Sequence, residues 1–153
     1  MNKESYVVKK GQIISSYEFF SEGPRGKIRK VIAYQEIPGD ELIFNLAFGD
    51  INEMGEIDDL AISNNSDARK ILITVAKTAI DFLQGKDDVK ILATGSTPAR
   101  TRLYQMGITQ FWEEISTLLE VKGYYVDQWR PFEKGINYEA FLVARKQISN
   151  FTL

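Results

Sequence analysis

The apolar residues of this 153-residue chain change their spacing once, and that change constrains the fold more than any other feature. Before it, Leu42, Phe44, Leu46 and Phe48 alternate with other residues, the period of a strand with one face on a core. After it, Ala68, Leu72, Val75, Ala76, Ala79, Ile80 and Leu83 form one stripe on a helix of about five turns. An apolar run at 89–94 then returns to strand character. A crossover of this length favours parallel pairing of 89–94 with the strand before the helix, at 56–63.

Turn chemistry divides the rest. Gly23-Pro24-Arg25-Gly26, Pro38-Gly39-Asp40 and Asn52-Glu53-Met54-Gly55 separate strands expected at 12–21, 27–37, 41–49 and 56–63. Asn65 or Ser66 can cap a helix over 66–84, and Gly85 suits its left-handed end. Thr97 and Pro98 open a second helix, expected to stop at Gly107. Phe111, Trp112, Ile115, Leu118 and Leu119 share one face of a third. Strands at 124–130 and 138–146 close the chain, the last apolar in both phases, as for a strand covered on both sides. The expected class is α/β in the α+β sense. It has a single mixed, mostly antiparallel sheet with one βαβ crossover, in the order ββββ-α-β-α-α-β-β, as one domain over 1–153.

Composition narrows the chemistry. The chain has no cysteine and no histidine, which removes thiolate nucleophiles, Ser-His-Asp arrangements and the common zinc motifs. Any catalysis would use carboxylates, Tyr, Lys, Arg, hydroxyls or backbone amides. A net charge of −2 gives no long-range pull toward nucleic acid or an anionic membrane. No apolar run approaches the ~20 residues that span a bilayer, so the cytoplasm is the expected compartment. A homodimer is compatible with everything above.

The candidate ligand site is Gly95-Ser96-Thr97, directly after the strand at 89–94. A glycine there lets a ligand approach the backbone, and the N–H groups of the next helix favour an anion. Arg100 can reach back to the loop, whereas Arg102 faces elsewhere. The same run also reads as a well-capped helix with solvated arginines. The opening Asp50-x-Asn52-x-x-Gly55 looks like a calcium loop, but Met54 and Ala61 occupy ligand positions, so no metal is expected. Arg25, Lys27, Arg29 and Lys30 read as a solvated patch, and Trp112 and Trp129 as core.

Several runs carry a resemblance. They are Tyr17-Glu18-Phe19, Phe48-Gly49-Asp50, Gly55-Glu56-Ile57-Asp58-Asp59, Gly95 to Tyr104, and Lys134 to Val143. On these the chain resembles a small family of bacterial proteins of about this length with no assigned activity. More distantly, the element order from Lys27, with Ala99, Leu103-Tyr104 and Gly107-Ile108, is similar to the N-acetyltransferase-like (GNAT) superfamily. That likeness implies an acyl-CoA cofactor held by Asn65, Ser66 and the Gly95–Thr97 loop. It also implies Tyr104 as acid and a carboxylate such as Glu56 or Asp58 as base. The chain departs from it at Asn64-Asn65-Ser66-Asp67-Ala68, where the cofactor-phosphate glycines are absent. The leading expectation is therefore a non-enzymatic domain binding a small anion or a partner protein, with acyl transfer as the alternative.

Overall fold

The computed structural model describes residues 4–11, 15–58 and 65–147. In chain order the elements are β1 (Lys9–Lys10), β2 (Ser16–Gly23), β3 (Gly26–Ile37), β4 (Asp40–Ile51), β5 (Ile57–Asp58), α1 (Ala68–Leu83), β6 (Lys90–Ala93), α2 (Pro98–Gln110), α3 (Trp112–Leu118), β7 (Leu119–Tyr125), β8 (Gln128–Pro131) and β9 (Ala140–Arg145). Among the described residues all nine strands join one open mixed sheet, ordered β1-β2-β3-β4-β6-β9-β7-β8, with β5 beside β4. The α+β class, the single mainly antiparallel sheet and its one crossover are therefore as the apolar spacing implies.

The parallel partner is different. β6 runs parallel to β4, pairing Ile43–Lys90, Phe44–Ile91 and Asn45–Leu92. β5 is antiparallel to β4, at Asp50–Asp58 and Ile51–Ile57, so it does not pair with β6 and runs opposite to it. The short β5 occupies only the carboxyl end of the β4 edge, at Asp50 and Ile51, which leaves the first half of that long strand for β6. The expected strand at 56–63 otherwise falls largely outside the described residues.

Alternation correctly puts Phe44, Leu46 and Phe48 under the helices, while Leu42, beyond them, is exposed. Tyr34 and Phe44 meet Phe82 of α1, and Tyr34 donates to or accepts from Thr78 at 2.8 Å. The buried stripe of α1 is rotated from the expected one: it holds Ile73, Thr74, Val75, Thr78, Phe82 and Leu83. Two threonines can be buried because their hydroxyls bond back to Lys70 and Val75 carbonyls. Asp67, not Asn65 or Ser66, is the N-cap residue, and no side chain caps it.

α2 does not stop at Gly107. A Cβ there would sit 3.3 Å from Leu72, so this glycine lets α2 lie close on α1 and is kept inside the helix. The strand expected at 124–130 is instead a hairpin. Leu119, Val121 and Gly123 of β7 face inward, and the turn falls on Val126 and Asp127, both at positive φ (48° and 60°). Leu118 and Leu119 fit a helical spacing, and this conceals the start of β7. Phe141 and Val143 of β9 are buried, but Ala140, Leu142 and Ala144 on its other face are only half covered. Trp112 packs on Phe132, whereas Trp129, expected in the core, is exposed beside Tyr124.

Candidate functional site

The parallel pairing of β4 and β6 ends at Asn45. Beyond it β4 continues to Ile51, while the chain leaves β6 at Ala93 and passes through Thr94-Gly95-Ser96 into α2. The two strands therefore part at the carboxyl ends of the parallel pair. In open α/β sheets this is where ligands bind, because two connections diverge there and backbone groups are exposed.

Four side chains gather near where the strands part. Arg100 donates through Nη1 to the Phe48 carbonyl at 3.3 Å, and its guanidinium lies 5.0 Å from the Phe48 ring centre. On the same ring Lys30 sits 5.7 Å from the centre. Lys30, with its side chain 4% exposed, forms an ion pair with Asp50, whose side chain is 22% exposed. Two cations thus lie against one phenyl ring near the end of β4, one of them paired with a carboxylate.

The Gly95 loop is built around α2 itself. The Gly95 N–H donates to Thr101 Oγ1 at 2.9 Å, and Thr97 Oγ1 accepts the Arg100 N–H at 3.2 Å. A Cβ on Gly95 would lie 2.5 Å from both Arg100 Cβ and the Thr101 nitrogen. The space that the missing side chain leaves is therefore used by the first turn of α2. We expect Gly95→Ala to lower stability by about 1–3 kcal/mol, the usual cost of forcing atoms into a packed contact. Denaturant unfolding measures it, and an unchanged midpoint would show that the turn yields.

The other sequence candidates separate from this loop. Asn65 is buried and fully engaged with the β2–β3 turn: Nδ2 donates to Ser21 Oγ (3.1 Å) and to the Gly26 carbonyl (2.9 Å), while Oδ1 accepts the Arg25 N–H (2.7 Å). Ser66 is exposed with φ 59°. Tyr104 is buried on the inner side of α2, and Ser96 is exposed. Glu56 is exposed where Asn52 Oδ1 accepts the N–H groups of Met54 and Glu56. Asp59 and Ala61 lie outside the described residues. Among the described residues no group of three or more acidic side chains is placed to hold a metal ion. No described helix is long and apolar enough to cross a membrane.

Phe48, Lys30 and Asp50 were not among the candidate residues read from the sequence. Lys30 and Asp50 look solvated by composition, yet Ile28, Lys30, Ile32 and Tyr34 fall in one phase of β3, with Asp50 opposite Lys30 on β4. That phase was the available signal.

Three tyrosines on the helix side are held in the neutral form. Burial raises Tyr17 above its ordinary value of 10.0, and its hydrogen bond to Asp81 (2.6 Å) adds to this. Burial likewise raises Tyr34, against the lowering effect of Thr78. Tyr6 is raised by burial and by its bond to Asp67. Because the fold favours the protonated phenols, this stability is intact below the ordinary value and is lost as pH climbs above it. The melting temperature should fall steeply from about pH 9 to about pH 11, and less so in Tyr17→Phe. Equal slopes in the two proteins would exclude Tyr17 as a contributor.

The structure defines an α+β fold with one open mixed sheet and a cluster of charged side chains beyond the carboxyl ends of its parallel strands. The chain belongs to a family of unknown function, DUF6934, whose model matches residues 2–146. No curated protein and no solved structure matches it.

Proposed function

We propose that this protein is a non-catalytic domain that binds a small organic anion in the crevice between β4 and β6. The observation that carries this reading is Arg100, held across the mouth by the Phe48 carbonyl and ring. An anion reaching the Gly95-Ser96-Thr97 turn would gain a charge-assisted contact from the guanidinium. Lys30, paired with Asp50, lies against the same Phe48 ring.

A second reading rests on the order of elements. One parallel pair after a helical crossover is the arrangement that an N-acetyltransferase-like core needs, and acyl-CoA would then lie in the same crevice. Ser66 and the Gly95–Thr97 loop would hold the cofactor, but Asn65 would have to leave the β2–β3 turn to help. Tyr104 and Glu56 would be acid and base, although one is buried and the other lies in an exposed turn. This contrast favours binding without chemistry.

A thermal-shift screen with inorganic phosphate, glycerol phosphate, adenosine monophosphate and coenzyme A tests both. A binder at about 100 times its dissociation constant should add about 2.7 kcal/mol of stability. Arg100→Ala should weaken it about tenfold or more. Turnover of acetyl-CoA with simple amines would replace the first reading by the second. No shift with any of these anions would move the function to a partner protein.

A further inference from the structure

A second opening lies away from the crevice, between the N-terminal segment, β2 and α1, with a volume of about 290 Å³. Thr74, Lys77, Thr78 and Asp81 reach it from one face of α1, at the spacing of successive turns. Tyr6, Val8 and Tyr17 form its apolar walls, and Lys10 stands at its edge. Its size is near the lower end of small-molecule pockets, about 300 Å³, so it suits a compact molecule rather than a protein segment.

The polar atoms of the walls are already committed. Thr74 Oγ1 donates to the Lys70 carbonyl and accepts the Tyr6 N–H. Thr78 bonds Val75 and Tyr34, and the Tyr17 hydroxyl donates to Asp81. The two ammonium groups retain capacity. Among the described residues Lys77 Nζ donates to a hydroxyl, Ser5 Oγ at 3.0 Å, and Lys10 lies 6.0 Å from the centre of the Tyr17 ring. Among the described residues neither lysine has a carboxylate at ion-pair distance. Asp81, one turn on from Lys77, is turned to the tyrosine instead.

We propose that this groove is a binding site for a small monocarboxylate with an apolar body. The body would cover Val8 and the two tyrosine rings, and the carboxylate would bridge Lys10 and Lys77. One negative charge fits better than two, because Asp81 leaves a carboxylate on the same rim. The ligand's apolar part sets this site apart from the crevice, whose proposed contact is the anionic group alone.

Calorimetric titration of the full chain with phenylacetate and octanoate tests the proposal, with acetate and phenyl phosphate as comparisons. Both apolar carboxylates should bind more tightly than acetate, which has no body, and than phenyl phosphate, which carries more charge. The double variant Lys10→Gln/Lys77→Gln should lose affinity about tenfold or more, while Arg100→Ala binds as the unaltered protein does. If the double variant melts early, Lys10→Glu, at an exposed position, should show the same direction of loss. Failure of both apolar carboxylates to bind, binding no better than acetate, or indifference to the lysine changes would overturn the assignment. Loss of binding in Arg100→Ala alone would also overturn it, by placing the ligand in the crevice.

Discussion

Replacing Asn65 by alanine is expected to lower stability by about 2–4 kcal/mol, because three hydrogen bonds disappear at once in a buried place. The side chain is 2% exposed and ties the approach to α1 to the β2–β3 turn through Ser21, Arg25 and Gly26. The contact is tight on both sides: a Cβ on Gly23 would come within 1.9 Å of the Asn65 carbonyl oxygen. Each lost bond removes about 0.5–1.5 kcal/mol net, and partners left in a poorly hydrated position add to it. For a chain of this size the melting temperature should fall by about 5–15 °C. Ser66→Gly next door is the contrast, since Ser66 is exposed at a φ of 59° that glycine adopts more easily. It should leave stability unchanged or slightly raised. If Asn65→Ala melted like Ser66→Gly, the asparagine would not be the pin described above.

The second large effect is expected at Asp50. Lys30 is an almost fully buried cation, and Asp50 is a carboxylate paired with it. Breaking a buried ion pair from one side costs about 3–5 kcal/mol, since the remaining charge keeps its desolvation penalty. Partial exposure of Asp50 lowers the expectation for Asp50→Ala to about 2–4 kcal/mol. Adding Lys30→Met should recover much of that loss, because a long apolar side chain can lie on the Phe48 ring without a charge to satisfy. A double-mutant cycle by denaturant unfolding reads the coupling directly. Additive losses would show that the two charges are solvated, as composition alone suggests.

The sequence was most legible where one period runs unbroken. Phe44, Leu46 and Phe48 announced the buried face of β4, and the α1 region announced the crossover. It was least legible where two periods overlap or where long-range choice decides. Leu118 and Leu119 satisfy a helix while Leu119, Val121 and Gly123 satisfy a strand, and packing of β7 against β9 settles it. The parallel partner of β6 could not be read locally, because several apolar strands present equivalent edges. In the candidate site, the Thr97 cap was legible from capping rules, whereas Gly95, read as leaving room for a ligand, instead makes room for the first turn of α2. The grouping of Phe48, Lys30 and Asp50 was not legible, since the sheet register sets Lys30 opposite Asp50 and the tertiary fold brings Arg100 to Phe48. Asn65 looked like a helix cap because asparagine before a helix usually is one, yet its amide serves the opposite hairpin.

The most direct test is an amide chemical-shift map of the isotope-labelled full chain, titrated with whichever phosphate-bearing compound of the screen binds. The account predicts the largest changes at Phe48, Gly95, Thr97 and Arg100, with Tyr17 and Lys77 of the other groove unmoved. Largest changes away from the β4–β6 opening, with Phe48 and Arg100 unaffected, would contradict it.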